Sequence, residues 1–469
     1  MLDWNMANNL KEEVVPLKSR IWIAIADSAC AVLGSLAAGA TLTYFFTEWR
    51  GLDGKIAAFV WILYGIWNAV NDPLFGYISD RTKTKIGRRI PYIRFGTPFY
   101  ALTFILCWVD WPGTSVDQIA MGFQMFFLLF LVDTLYTAIA TSIYIMPYEM
   151  AISAKARGSI FIWKIIFMLI PLAIPLILIP IIKPKPGSDP TFFQTVMTLF
   201  GIVSGLLIFI STYFYEEKGY TTEEKQPPFF TALIESFKNK AFLVFLVISF
   251  TIIYIQTALM TGVLYFFDNV DVPALPLYIS LAVGIIFGIF LWILKLKSWR
   301  VKKSLIIMSF LFALGCLLLL LQFRNVMVTS IAFFLFGIGF SGGMYLIPII
   351  NGEVIDFDEK RTGLRREGMY AGINSFITKP AISLAQAVFL WTIGIFGYIQ
   401  GLPAGSQTES AQTGIVVGWV LVPCILLILS GIVLLYYPLD GPEWEQTKQE
   451  LQRIHDEKEA EYLQKFGFK

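Results

Sequence analysis

Long apolar segments alternate with short polar stretches along this chain and restrict it to very few folds. Twelve segments occur, near residues 21–46, 54–79, 91–111, 118–149, 158–182, 190–215, 241–266, 273–296, 303–322, 327–350, 369–399 and 411–437. A helix needs roughly 20 residues to cross a bilayer, and each segment meets this length. Backbone polar groups must be satisfied internally within hydrocarbon, so these segments are predicted to be helices. The chain is therefore predicted to be an all-α membrane protein.

The composition agrees with a membrane location. Hydrophobic residues make up 56% of the chain, and the mean hydropathy is +0.66. The formal net charge of +2 says little about partners, because the charges are concentrated between the apolar segments. We expect a lipid bilayer and a small-molecule substrate as partners, no nucleic acid, and a monomeric protein.

The distribution of basic residues predicts the orientation. Thirty of the 36 lysines and arginines fall on the side that holds both termini, which places that side in the cytoplasm by the positive-inside rule. The residues after Met1 include no short apolar core, so no cleaved signal peptide is expected. The sequence thus predicts a multi-pass protein of the cell membrane with both termini in the cytoplasm.

Cysteine and histidine usage argues against an enzyme. The four cysteines are scattered through apolar segments, which favours core packing over a disulfide framework or metal cage. The only histidine, His455, lies in the polar C-terminal tail, and no H-E-x-x-H or G-x-S-x-G motif occurs. We therefore expect no catalytic residues, no cofactor, and no metal other than Na⁺ in the role of coupling ion.

A polar stretch from Glu216 to Pro228 divides the chain into two sets of six segments. The predicted domains are an N-terminal six-helix bundle (1–215), a central cytoplasmic loop with an amphipathic helix (216–240), a C-terminal six-helix bundle (241–437) and a cytoplasmic tail (438–469). The tail is compatible with a helix at the membrane interface and equally with a solvated helix that has no partner.

The second apolar segment contains an acid, Asp72. It precedes Asp80 by eight residues, which is about 12 Å along a helix. If Asp80 marks the cytoplasmic surface, Asp72 lies within the hydrocarbon layer. An acid is costly there and is a candidate functional residue by default.

The loop after this segment has a recognisable pattern. It contains Gly76, Asp80 and Arg81, and then Gly87 followed by Arg88. The glycine allows close helix approach, the acid can bind a helix N-terminus, and the arginines fix the cytoplasmic side. This G-x-x-x-D-R loop with a trailing G-R-R resembles the loop signature of the major facilitator superfamily. The resemblance implies twelve transmembrane helices in two six-helix bundles that work by alternating access, with these five residues in gating.

A longer match is more specific. The sequence N-D-P-L-F-G-Y-I-S-D-R-T-K-T-K-I-G-R-R-I-P-Y is similar to the glycoside-pentoside-hexuronide:cation symporter family, which includes the melibiose permease. A second block spans residues 352–368, and a third contains Arg157 and Lys164, with six residues between them. The resemblance adds Arg157, Arg365 and Arg366 to the predicted gating residues.

In this family the cation sits on carboxylates of the second helix. The matching positions are Asn68, Asn71 and Asp72, and the spacing of Asn68 and Asp72 puts both on one helix face. The family commonly has an acid where this chain has Asn68. With one carboxylate the site could hold Na⁺ or H⁺, and an uncoupled uniporter stays open as a third alternative.

The substrate positions depart further from the family. Its sugar-binding acids align near Val32 and Ile139, neither of which can bond a hydroxyl, so we predict that the nearby Asp27 and Asp133 bind substrate. An interfacial or capping role is the alternative for Asp27. For Asp133 the alternative is an interhelical ion pair.

Three further residues complete the predicted substrate site. Lys379 matches the family's helix-11 lysine, about 16 Å deep at helical rise, and is expected to pair with Asp72 across the two halves. A purely structural pair is the alternative for Lys379 and Asp72. Lys164 contributes a second positive charge. Tyr136 is predicted to stack on a sugar ring, and lipid-facing packing is the alternative for it. Three acids against two lysines leave room for one bound cation.

The predicted function is cation-coupled transport of a sugar, glycoside or uronide. Lysolipid or other amphiphile symport on the same fold is the first alternative, because the expected sugar acids are missing. An uncoupled uniporter, a polytopic enzyme and a nontransporting sensor are the others.

Overall fold

The structure is a computed structural model, and it describes residues 13–82, 84–114, 117–184, 188–217, 236–362 and 367–465. All regular secondary structure in these ranges is helical. The helices are α1 (Leu17–Trp49), α2 (Gly54–Arg81), α3 (Ile90–Leu106), α4 (Gln118–Met150), α5 (Lys155–Ile182), α6 (Thr191–Ser211), α7 (Lys240–Asn269), α8 (Ala274–Leu296), α9 (Ser298–Gln322), α10 (Val326–Thr362), α11 (Glu367–Thr378 and Pro380–Ile395), α12 (Glu409–Leu434) and α13 (Pro442–Lys465).

The first twelve helices coincide with the twelve predicted spans. Ten helices of the described ranges are long and apolar enough to cross a membrane, and α2 and α3 occupy the two remaining predicted positions. The prediction of an all-α membrane protein is therefore confirmed. The central segment that was predicted to form an amphipathic helix lies largely outside the described residues.

Two helices are interrupted where they approach the other half of the chain. Helix α11 breaks at Lys379 because the next residue, Pro380, has no amide hydrogen to donate. Helix α1 breaks at Ala38 and Gly39 and ends in a π-helical turn from Phe45 to Trp49. Such turns are frequent at functional sites, and this one holds Glu48.

The six N-terminal helices and the six that follow pack mainly within their own sets. Helix α1 packs on α5 and α6, and α7 packs on α12. Two helix pairs make the most extensive contacts between the sets, namely α2 with α11 and α1 with α7. We call the end of the bundle where α1 begins and α12 ends the terminal end, and the opposite end the far end. The domain boundaries themselves stay a prediction.

Small residues allow α2 and α11 to approach closely. A Cβ at Gly54 would lie 2.4 Å from Gln400, and one at Gly65 would lie 2.8 Å from Ser383. Lys379 then meets Asp72 further along the same contact. Residue numbers thus rise on one helix as they fall on the other. The two helices form an antiparallel seam that begins near the far end.

The C-terminal helix α13 folds back onto the end of α10. The Trp444 ring lies 6.1 Å from that of Phe357, and Lys448 forms an ion pair with Glu353 at 3.1 Å. Burial lowers the pKa of Lys448, but the hydrogen bonds and charges of Glu445 and Glu353 outweigh it and raise the pKa above its ordinary value. The sequence alternatives, a helix at the membrane interface or one without a partner, both missed this docking.

Candidate functional site

An ion pair joins the two halves at mid-seam. The Lys379 ammonium lies 2.5 Å from Asp72 Oδ1, and both side chains are less than one-fifth exposed. The Thr137 hydroxyl donates to the same oxygen at 3.1 Å. Asp72, Lys379 and Thr137 together connect α2, α11 and α4. We call these three residues the central bridge.

Asp133 lies beside the central bridge and has neutral hydrogen-bond partners. It is buried, with 3% of its surface exposed. Tyr64 donates its hydroxyl at 3.1 Å, and Asn71 donates its amide at 3.0 Å. The interhelical ion pair considered from the sequence is not what holds this acid. Among the described residues, its side-chain hydrogen bonds come from these neutral groups instead.

The three predicted cation positions lie close together on α2, but they differ in their contacts. Asp72 faces Lys379, whereas Asn71 bonds Asp133. Asn68 is buried, and its Oδ1 atom has no hydrogen-bond partner among the described residues. An oxygen of this kind is available to a cation or a water molecule.

Asp27 and Lys164 form a second ion pair within the N-terminal half. Their charged atoms are 3.2 Å apart, and the Lys164 side chain is 9% exposed. The pair joins α1 to α5, so Asp27 is not the interfacial or capping acid of the alternative interpretation. Both groups can exchange their mutual contact for sugar hydroxyls, since carboxylates accept and ammonium groups donate hydrogen bonds.

Tyr136 lies against α1 and α3. A Cβ at Gly34 would be 2.7 Å from its ring, and the Tyr100 ring centroid is 6.3 Å away. The side chain is partly buried. The absence of a side chain at Gly34 leaves room for this ring beside α1.

The predicted gating loop is anchored within the N-terminal half. Arg88 pairs with Glu149 at 2.8 Å, and the Arg88 amide donates to Glu217 at 2.7 Å. Gly87 has a φ of +110°, which favours glycine. Arg157 lies over the Tyr148 ring at 5.3 Å.

Other predicted gating residues cannot be placed. Gly76, Asp80 and Arg81 belong to α2, but their contacts lie outside the described part of the chain. Arg365 and Arg366 lie outside it altogether. Their gating roles stay predictions.

A second set of cross-half contacts closes the far end. Glu48 is buried and accepts a hydrogen bond from the Tyr398 hydroxyl at 2.9 Å and one from the Gly401 amide at 3.4 Å. At the preceding residue, the Thr47 and Tyr265 hydroxyls are 2.7 Å apart. These bonds tie the end of α1 to α7 and to the residues after α11.

Asp268, at the end of α7, completes this closure. It accepts from the Tyr44 hydroxyl at 2.5 Å and from the Lys183 ammonium at 2.6 Å. Lys183 also lies 4.2 Å from the centre of the Tyr44 ring. We call the set of Tyr44, Thr47, Glu48, Lys183, Tyr265, Asp268, Tyr398 and Gly401 the far-end latch.

Sequence reasoning missed several of these groups, although some left a signal. Thr137 follows Asp133 by four residues and Tyr64 precedes Asn68 by four, so each shares a helix face with a predicted site residue. Glu48 is an acid at the end of an apolar segment, and this position makes it a candidate functional residue. Nothing in the sequence indicates that Lys183 and Asp268 meet.

Comparison with known proteins agrees with this geometry. The family model for MFS/sugar transport protein matches residues 22–441. The chain is similar to the uncharacterized symporter YnaJ of Bacillus subtilis, with 25% identity over 95% of this chain and 96% of that protein. It is equally similar to an isoprimeverose transporter of Lactiplantibacillus pentosus, with 25% identity over 93% of this chain and 92% of that protein.

A solved structure shares the fold. The crystal structure of a D-xylose-proton symporter superposes with a TM-score of 0.61 and 14% sequence identity, covering 89% of this chain and 97% of the other. The twelve helices thus have the major facilitator arrangement. The family match and the relatives show that the protein is a transporter rather than an enzyme. The chain belongs to the MFS/sugar transport protein family, as its resemblance to the glycoside-pentoside-hexuronide:cation symporters implied.

Proposed function

We propose that the protein is a symporter that moves a sugar, glycoside or uronide together with a cation. The family and the symporter and sugar-transporter names of its relatives support this class. The two halves would alternate between a state closed at the far end and one closed at the terminal end. The far-end latch is the closure expected for the first of these states.

Charge balance is the observation that supports cation coupling best. Asp27 is paired with Lys164, and Asp72 is paired with Lys379. Asp133 has neutral hydrogen-bond donors instead. One bound Na⁺ or H⁺ would neutralise this group of five charges. Uncompensated charge is costly inside a bilayer, so the cation would lower the cost of moving the site through the membrane.

The cation is proposed to bind at Asp72, with Asn68 and Asn71 nearby. It would compete with Lys379 for the carboxylate, and the freed ammonium could then turn to the substrate. Oxygen donors such as these suit Na⁺, and the carboxylate alone suits H⁺. The ion identity is what the experiment below decides.

The substrate is proposed to lie on the N-terminal side of the central bridge. Asp27 and Lys164 would bond its hydroxyls, and Tyr136 would stack on its ring. A uronide carboxylate would find a charge partner in Lys164. Lys379 and Asp133 would contact the substrate from the bridge side.

We propose the cell membrane as the location, with both termini in the cytoplasm. Lysines and arginines are concentrated in the segments on the same side of the membrane as the two termini, which supports this orientation. The far-end latch would then close the outer face.

Reconstituted protein gives the test of this function. Labelled sugars, glycosides and uronides are offered to proteoliposomes under an imposed Na⁺ gradient and, separately, an imposed pH gradient. Accumulation above the equilibrium level under one gradient, abolished by an ionophore that collapses it, is the expected result. Equilibration without accumulation under both gradients would instead identify a uniporter.

An apolar cleft supports amphiphile transport as a second candidate. It lies between α5 and helices of the C-terminal half. Leu172, Leu176, Met260, Phe336 and Trp419 are among its lining residues. A thermal-stability screen that includes lysolipids beside sugars separates the two, because ligands that bind only the folded state raise its apparent stability.

A further inference from the structure

Four of the buried polar atoms that have no hydrogen-bond partner among the described residues lie on the seam between α2 and α11. They are Asn68 Oδ1, Ser383 Oγ, and both Gln386 Oε1 and Nε2, and none has a hydrogen-bond partner among the described residues. The exposed fractions of these three residues are 2%, 3% and 0%. Gln386 thus has an entire amide group buried without a bond.

The residues of α11 on this seam form one stripe. Lys379 bonds Asp72, Ser383 faces Gly65, and the Leu390 carbonyl lies 3.9 Å from a Cβ placed on Gly54. These positions follow a spacing of four and then seven residues. Gln386 falls between them at the same helical period, so it lies on the face that meets α2.

The facing stripe on α2 has the same order. Gly54, Gly65 and Asp72 mark its contacts with α11, and Asn68 lies between the last two, one turn from each. Asn68 is therefore at a level between those of Lys379 and Ser383. The partnerless atoms run in sequence from the central bridge toward the far-end latch.

Packing alone gives no reason for polar side chains at these positions. A polar group buried without a hydrogen bond is destabilising, and the cost rises where lipid excludes water. Gln124 is the contrast, since it is equally buried but bonds Arg50 at 2.6 Å and the Val109 carbonyl at 2.9 Å. Buried glutamines of this protein can be satisfied, so the state of Gln386 points to a ligand in another conformation.

We propose that Asn68, Ser383 and Gln386 form a passage by which a hydrated coupling cation reaches Asp72 from the far end when the latch opens. This inference rests on the cation coupling proposed above and adds the route. Amide and hydroxyl oxygens are ligands for hard cations, and the Gln386 amide hydrogens can hold the accompanying water. The passage is closed here because the seam is packed.

Gln386→Leu and Ser383→Ala test the passage. Each is compared with the parent protein in proteoliposomes, under the ion gradient that drives uptake by the parent. The initial rate of ion-driven uptake should fall about tenfold for Gln386→Leu, and the half-saturating ion concentration should rise. Ser383→Ala should give a smaller change in the same direction. Equilibrium ion binding at Asp72, read from the ion-dependent rise in melting temperature, should change less than about twofold.

Thermal stability separates this role from a structural one. Replacing a partnerless polar group by an apolar one of similar size is close to neutral, so Gln386→Leu should keep the parent melting temperature. Gln124→Leu is the matched control, and it should lower that temperature because it breaks two bonds. A Gln386→Leu protein destabilised as much as the control would contradict the passage.

Two transport results would also overturn the inference. One is ion-driven uptake by both variants at the parent rate. The other is a change in the half-saturating sugar concentration with unchanged ion dependence, which would make the seam a substrate site. Failure of cation coupling itself is a separate outcome, since the parent protein would then accumulate nothing under either gradient.

Discussion

The central bridge and the far-end latch both join the two halves, but they use different chemistry. At the bridge, one lysine meets one carboxylate, with a single hydroxyl beside them. At the latch, two acids collect bonds from tyrosine hydroxyls, a backbone amide and Lys183. At the bridge, opposite charges hold two helices together, whereas most of the latch bonds are donated by neutral groups.

This difference fits the work that each region must do. Hydrogen bonds from neutral donors contribute about 1 kcal/mol each, so a latch built from them can form and release repeatedly. A buried ion pair is costly to break by losing one partner, but a cation can replace that partner. The bridge is therefore suited to ion exchange and the latch to mechanical closure.

The largest effect is expected from breaking the bridge on one side. Lys379→Met leaves Asp72 without its cation, and losing one member of a buried pair costs about 3 kcal/mol. Transport should fall by roughly a hundredfold, and the melting temperature should fall as well. Thermal unfolding in detergent and uptake measure the two effects.

The double variant Asp72→Asn with Lys379→Met is the control for charge imbalance. It should recover much of the lost stability, while ion-driven uptake should stay as low as in Lys379→Met. If stability does not recover, the cost arises from packing, and the bridge is not held by charge.

A smaller effect is expected at the latch. Tyr398→Phe removes one hydrogen bond to Glu48, worth about 1 kcal/mol, which shifts the population of the open far end about fivefold. A cysteine placed on the seam by Ala58→Cys reports the opening through its rate of thiol labelling. The four native cysteines are buried.

Tyr437→Phe is the matched control for the latch variant. Tyr437 also donates to a buried acid, Glu353 at 3.2 Å, but both residues belong to the C-terminal half. Labelling of the Ala58→Cys reporter should not change with this control. Equal acceleration by both tyrosine variants would mean that general loosening, and not the latch, sets access to the seam.

The smallest effect is expected away from both regions. His455 pairs with Glu359 at 2.7 Å, within the C-terminal half and partly exposed. His455→Ala should cost about 0.5 kcal/mol, or about 1 °C in melting temperature, and leave uptake unchanged. A loss of uptake comparable with that of Tyr398→Phe would extend the gating machinery to the C-terminal helix.

The sequence predicts the spans well because a spanning helix must be long and hydrophobic, and both properties can be read from a local stretch of sequence. It also places Asp72 and Lys379 together, since the family resemblance aligns both of them. The latch could not be found in this way. In the sequence, Lys183 and Asp268 are charged residues at the ends of apolar segments. Their contact depends on how closely α5 of one half approaches α7 of the other.

The helix breaks and the tail illustrate the same limit. Pro380 follows the break in α11, and the position of that break beside the bridge is a property of packing. The tail is polar and helical by pattern, yet its docking on Glu353 and Glu359 requires the end of α10 to extend beyond the bundle. Contacts between distant segments are what local patterns leave undetermined.

The most direct test of the account is ion-driven accumulation by Asp72→Asn. This change keeps the size of the side chain but removes the charge for which a cation and Lys379 compete. Vesicles receive an imposed Na⁺ gradient and, in a separate experiment, an imposed pH gradient. The account predicts that Asp72→Asn no longer concentrates substrate under either gradient, while downhill exchange continues because Asp27, Lys164 and Tyr136 are intact. Accumulation equal to that of the parent would contradict it, because coupling would then not pass through the central bridge.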